Sequence, residues 1–228
     1  MRRYFLSTVL LVVAFAMILG PVAALAGGTN PKFYGKTIGE MAGEWWNWIS
    51  VHPYSETPPT QNGDVDCSFG QPSGKVWFLA GTFGDPGIER TCSVPGNKAL
   101  FFPLVNNVMW APEDCGTTEE CRDVAMMSFG EPFGLFCTID GEPCVYENLL
   151  VRTQSSPFTL MMPEDSFFTD WGYMPGDRYP SIADGYWMLL PPLSKGDHVI
   201  HFGGIGGDPC GDPTQWFVVD AKYNITAE

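Results

Sequence analysis

His198 and His201 stand in the run Asp197-His198-Val199-Ile200-His201-Phe202, which reads as a strand. Side chains alternate across a strand, so positions three apart face opposite sides and cannot jointly chelate a metal without a bulge. The expectation is one histidine hydrogen-bonded near the core and the other on the surface. Serine chemistry has little to start from: no G-x-S-x-G elbow occurs, and Ser155-Ser156 precedes Pro157 where a turn is the simpler use. Carboxylates are plentiful. Glu40 and Glu44 fall one helical turn apart, and Asp184 lies beside Tyr186-Trp187, which makes Glu44 and Asp184 the candidate acids of a polysaccharide-cleaving enzyme. In so acidic a chain such pairs arise by composition, and a non-enzymatic protein is the first expectation. Asp64 with Asp66 and Asp208 with Asp212 gather oxygens in loops, the raw material of a calcium site. Neither pair follows an EF-hand series, and aspartate before glycine or proline is ordinary turn chemistry, so no cofactor is expected and calcium is the one candidate.

Seven cysteines are the next reactive set. Paired C-x-x-C knuckles are missing, which argues against zinc. In Cys137-Thr138-Ile139-Asp140-Gly141-Glu142-Pro143-Cys144 the Asp-Gly dipeptide predicts a two-residue hairpin turn, which sets Cys137 opposite Cys144 at a separation that a disulfide spans. Cys115 and Cys121 bracket a short polar loop and form a second expected pair. Cys67, Cys92 and Cys210 remain; Cys67 with Cys92 is the expected third pair, leaving Cys210 to bridge an oligomer. Eight tryptophans offer stacking surfaces, and aromatic rings beside carboxylates are a common way of holding sugars. Trp45, Trp48 and Trp77 are expected in the core, while Trp46, Trp171 and Trp187 are the candidate ligand-binding residues.

The elements that must position these groups follow an export signal. Met1-Arg2-Arg3, an apolar run from Phe5 to Leu19 and Ala24-Leu25-Ala26 predict a cleaved leader over 1–26 and a single domain over 27–228. The expected location is secreted or periplasmic, with no membrane span after cleavage. Losing Arg2 and Arg3 takes the basic count from 12 to 10 against 26 acidic residues, a net charge near −16. Such a surface repels phosphate backbones, so nucleic acid is excluded as a partner.

Thr37-Ile38-Gly39-Glu40 spells a capping box, and Ile38, Met41, Trp45, Trp48 and Ile49 recur at helical spacing, predicting one helix over about 38–50. From about residue 75 onward the pattern is short apolar runs between Gly, Pro and Asp: Lys75–Phe83, Ala99–Val105, Leu149–Thr153, Phe158–Met162, Gly185–Leu190 and Asp197–Phe202. The last run alternates, with Phe217, Val219, Ala221, Tyr223 and Ile225 on one face and Asp220, Lys222 and Asn224 on the other. The expected fold is mainly all-β, an antiparallel β-sandwich or jelly-roll-like single domain with one short N-terminal helix and disulfides.

Four blocks, Glu44-Trp45-Trp46-Asn47-Trp48, Lys75–Phe83, Val94–Pro103 and Asp184–Gly204, occur in this order along the chain. In these blocks the sequence resembles an uncharacterised family of exported bacterial proteins. Asp208–Pro213 and the Cys115–Cys121 loop depart from that pattern. The resemblance implies export and a shared fold, and assigns no chemistry. Together with the residues, it leads to an exported, disulfide-stapled protein binding an extracellular or envelope ligand such as a glycan. A polysaccharide-cleaving enzyme and a cell-surface assembly component are the alternatives.

Overall fold

The first helix begins as its capping box dictates. Thr37 Oγ1 accepts from the Glu40 N–H at 3.1 Å, and the Glu40 carboxylate accepts from the Thr37 N–H at 2.7 Å. The computed structural model describes residues 31–57, 60–84, 87–144 and 150–228, so the expected leader lies outside the described residues. Its elements in chain order are α1 (Ile38–Ser50), β1 (Gly63–Asp64), β2 (Val76–Phe78), β3 (Ile88–Val94), β4 (Ala99–Trp110), α2 (Thr118–Ser128), β5 (Phe133–Ile139), β6 (Glu142–Pro143), β7 (Leu150–Gln154), β8 (Phe158–Leu160), α3 (Phe167–Asp170), β9 (Arg178–Leu190), β10 (Gly196–Gly206) and β11 (Phe217–Ala227). The expected all-β domain is present.

Two sheets stack. Sheet one runs β1-β3-β11-β10-β5-β6, and sheet two runs β2-β4-β9-β7 with β8 also on β9. The sheets are mixed rather than wholly antiparallel, because β1 with β3, β3 with β11 and β2 with β4 pair in parallel. The reason is topological. Between β2 and β4 the chain crosses to sheet one and back, so neighbours in the sheet are not neighbours in sequence.

Between the sheets Phe102 meets Phe202 at a ring separation of 4.1 Å, among Leu100, Leu104, Met188, Leu190, Ile200 and Ile225. The opposite face of sheet two is covered by α1 and α3, where Phe101 and Trp187 stack at 5.2 Å and Trp45 meets Trp187 at 5.8 Å. A strand covered on both faces is apolar on both, which accounts for the run Ala99–Val105 in β4 ahead of the buried Asn106 and Asn107. Trp46, expected to face a ligand, is 6 % exposed, because Phe168 of α3 stacks on it at 6.0 Å. Trp187 is 0 % exposed in the same layer.

The apolar run from Lys75 to Phe83 contributes only Val76–Phe78 to the ladder. Beyond it, the backbone of Leu79–Thr82 is tied by side chains from three directions. Trp45 Nε1 donates to the Leu79 carbonyl at 2.9 Å, Tyr223 Oη donates to the Ala80 carbonyl at 2.8 Å, and Thr82 Oγ1 donates to the Val218 carbonyl at 3.2 Å. Arg90, 1 % exposed, donates to the carbonyls of Gln61, Ala80 and Gly81 and to Tyr223 Oη. Its guanidinium also lies 5.2 Å from the Tyr223 ring centroid.

Candidate functional site

All three expected disulfides are formed, with Cα separations of 5.8 Å for Cys67–Cys92, 5.1 Å for Cys115–Cys121 and 5.3 Å for Cys137–Cys144. Cys121 sits within α2 and not in a loop. That helix escaped the sequence pattern because Cys121 and Ala125 are its buried residues, too few for a stripe. Thr117 followed by Glu120 was the available signal: the Thr117 hydroxyl accepts from the Glu120 N–H at 3.2 Å. Cys210 is exposed and free.

The carboxylates proposed as acids are engaged elsewhere. Glu44 pairs with Lys36 at 2.5 Å. Asp184, 2 % exposed, receives Arg152 Nη2 at 3.1 Å. The same guanidinium holds Glu131 at 2.8 Å, and Glu131 accepts the Tyr186 hydroxyl at 2.5 Å. That phenol hydrogen bond, with Arg152 beside it, keeps the Glu131 carboxyl below the usual carboxylate range and pushes the Tyr186 hydroxyl up. A general acid at neutral pH needs a carboxyl raised by burial or by a like charge. A lowered Glu131 is the reverse.

The loop aspartates serve turns. Asp66 Oδ1 accepts from the Ser68 N–H and hydroxyl, Asp208 Oδ1 from the Cys210 N–H, and Asp212 Oδ1 from the Thr214 N–H that opens a short 3-10 turn. Asp64 lies in the exposed strand β1. Among the described residues no group of three or more His, Cys, Asp or Glu could hold a metal ion. His198 and His201 face opposite sides of β10, and His201 bonds Asp220 at 2.7 Å on the wet face. His52 packs on Phe69 at 4.7 Å.

What remains at the surface is Trp171, 51 % exposed, with Tyr173 at 38 % and Met174 at 74 %. Their loop leaves α3, whose Ser166 cap and Thr169 exchange hydrogen bonds. Gly172, at φ +90°, turns the chain, and the N–H groups of Trp171, Gly172 and Tyr173 return to the carbonyls of Phe168 and Thr169. Arg178, 9 % exposed and paired to Glu113 at 2.7 Å, donates from below to the carbonyls of Met174 and Gly176. The Gly176 N–H closes the loop onto the Met162 carbonyl at 2.8 Å.

The rings are packed against others on their inner side. Trp171 rests on Phe167 at 4.4 Å, with Tyr54 at 6.3 Å and Phe83 at 6.4 Å behind it. Tyr173 rests on Trp110 at 5.2 Å. Glu164, Asp165 and Asp177 are exposed on the flanking segments. The surface is an aromatic shelf on a hydrogen-bonded loop, with carboxylates on the chain segments that precede and follow it. Its partial burial at Phe83 and Tyr54 depends on contacts 80 and more residues away, which no local pattern reports.

Fold and surface together define a disulfide-braced, two-sheet β protein with an aromatic loop platform. No helix among the described residues is long and apolar enough to cross a membrane. No protein-family model, no curated protein and no solved structure matches the chain.

Proposed function

We propose that this is an exported binding protein that holds a neutral glycan of the cell envelope or its surroundings against Trp171. The observation that carries the reading is a half-exposed indole whose ring, loop and underlying arginine are all held in place before any ligand arrives. A ring fixed in advance loses no rotamer freedom on binding, so more of the stacking energy reaches the affinity. A pyranose offers an apolar C–H face to the indole and hydroxyls to Glu164, Asp165 and Asp177. The formal charge of −14 opposes anionic polysaccharides and leaves neutral ones as the favoured class. The resemblance of the four sequence blocks to exported proteins supports export and names no ligand.

Retention on insoluble neutral polysaccharides tests it. Wild-type protein is expected to be retained, and Trp171→Ala to lose about tenfold in affinity, the equivalent of about 1.4 kcal/mol. Equal retention of the two proteins removes Trp171 from the site. Polysaccharide cleavage by Glu44 or Asp184 has less support, since Lys36 and Arg152 occupy those carboxylates. Cross-linking of subunits through exposed Cys210 is the second reading, and a dimer band that disappears on reduction is its sign.

A further inference from the structure

Ser194, His198 and Asp140 form a line that neither the fold nor the Trp171 platform uses. Ser194 is exposed in the connection between β9 and β10, and its Oγ lies 3.0 Å from His198 Nε2. His198 Nδ1 lies 2.8 Å from Asp140 Oδ2, in the turn between β5 and β6. The second oxygen of Asp140 accepts from the Val199 N–H at 2.8 Å, which orients the carboxylate toward the ring. The imidazole is 13 % exposed. A cavity of about 360 Å³ adjoins it, with Asp140, His198, Val199, Asn224 and Thr226 in its lining. A hydroxyl on one ring nitrogen and an anchored carboxylate on the other is the arrangement that activates serine, whatever the fold or chain order.

We propose that Ser194 is a nucleophile toward small, uncharged carboxylic esters, with His198 as its base and Asp140 as the residue that positions the ring. Ser194 Oγ adds to the ester carbonyl carbon, and its proton passes to Nε2. Collapse of the adduct breaks the bond to the alcohol oxygen, which leaves with that proton. Water then adds to the acyl-serine, giving a proton to Nε2. The proton returns to Ser194 Oγ as the acyl–oxygen bond breaks and the carboxylic acid departs. Asp140 and Asp197 beside the cavity disfavour anionic esters.

The geometry also sets a pH dependence. Nε2 lies 2.9 Å from the Ser194 carbonyl oxygen, beside its 3.0 Å contact with the hydroxyl. While the ring is doubly protonated, Nε2 donates to that carbonyl and cannot take the serine proton. Once it is neutral, its lone pair accepts from Oγ. The charged groups that bear on the ring are Asp140 from the β5–β6 turn and Asp197 from β10, both holding the proton on.

A small uncharged fluorophosphonate, followed by peptide mass mapping between pH 5.5 and 9, tests the site in the oxidised protein. The expected result is phosphonylation of Ser194 at a rate that rises with pH to a plateau. In His198→Gln the rate is expected to fall about a hundredfold. Ser194→Ala, a surface change that leaves the fold intact, is expected to abolish the label and the hydrolysis of p-nitrophenyl acetate together. An unlabelled Ser194 at every pH, a rate unchanged in His198→Gln, or full ester hydrolysis by Ser194→Ala would each overturn the proposal. None of these residues belongs to the Trp171 surface, so neither result bears on glycan binding.

Discussion

Arg90 shows what a single residue can hold together. Its guanidinium is buried against three backbone carbonyls and one phenol. Backbone acceptors cannot be mutated away, so removing the arginine takes this donor from the Gln61 and Gly81 carbonyls, while Ala80 keeps the Tyr223 hydroxyl. Arg90→Met is expected to cost about 3–5 kcal/mol in urea unfolding. Lysine, a point charge without the fork, should recover only part of that. The two tryptophans at the centre of the functional question divide in the same measurement. Trp187→Ala is expected to cost about 3–5 kcal/mol, because its stack on Phe101 is sealed by α1. Trp171→Ala should stay within about 1 kcal/mol. The sequence marked all three candidate tryptophans alike, since indole type and spacing do not say which layer will close over them. Trp46 lost its surface to Phe168, a residue 122 positions away in the chain.

At the scale of elements, the capping box, the Asp-Gly hairpin and the alternation of β11 were readable because each is decided within a dozen residues. Parallel pairing of β3 with β11 was not, since it joins segments more than 100 residues apart. The Ser194, His198 and Asp140 line was hidden for the same reason. Ser194 and His198 are four apart, but Asp140 reaches them only because β5 pairs with β10. That contact makes the β5–β6 turn sensitive to pH. Hydrogen bonds donated to Asp140 first and to the Ser194 carbonyl second raise the His198 pKa above its ordinary value near 6.5. A raised folded pKa stabilises fully below the unfolded value and fades as pH climbs through the folded one. The urea midpoint of the wild type is therefore expected to fall as pH rises above about 6.5, and His198→Gln to flatten that decline. Glycine sets a second limit on this sheet. A Cβ at Gly203 would stand 1.9 Å from the Val219 carbonyl oxygen, so Gly203→Ala should part β10 from β11 and lower the melting temperature.

Over the whole molecule, Cys67–Cys92 and Cys137–Cys144 staple segments of sheet one, Cys115–Cys121 ties the loop after β4 to α2, and the aromatic interior supplies cohesion. Cys67–Cys92 closes the longest loop, 25 residues, and tethers the segment after β1 to β3. Chain-entropy arguments give it about 3.5 kcal/mol. Net charge works outward from the same body and repels polyanions, and in the proposed function short-range stacking holds a neutral partner. Binding at Trp171 should accordingly change little between low and high salt. The eight indole N–H groups give a direct reading of that site. In an NMR titration with neutral oligosaccharides, the Trp171 indole signal is expected to shift progressively while those of buried Trp45 and Trp187 stay fixed. A saturable shift confined to other tryptophans, or stationary signals across the whole panel, would contradict the assignment of the ligand to this loop.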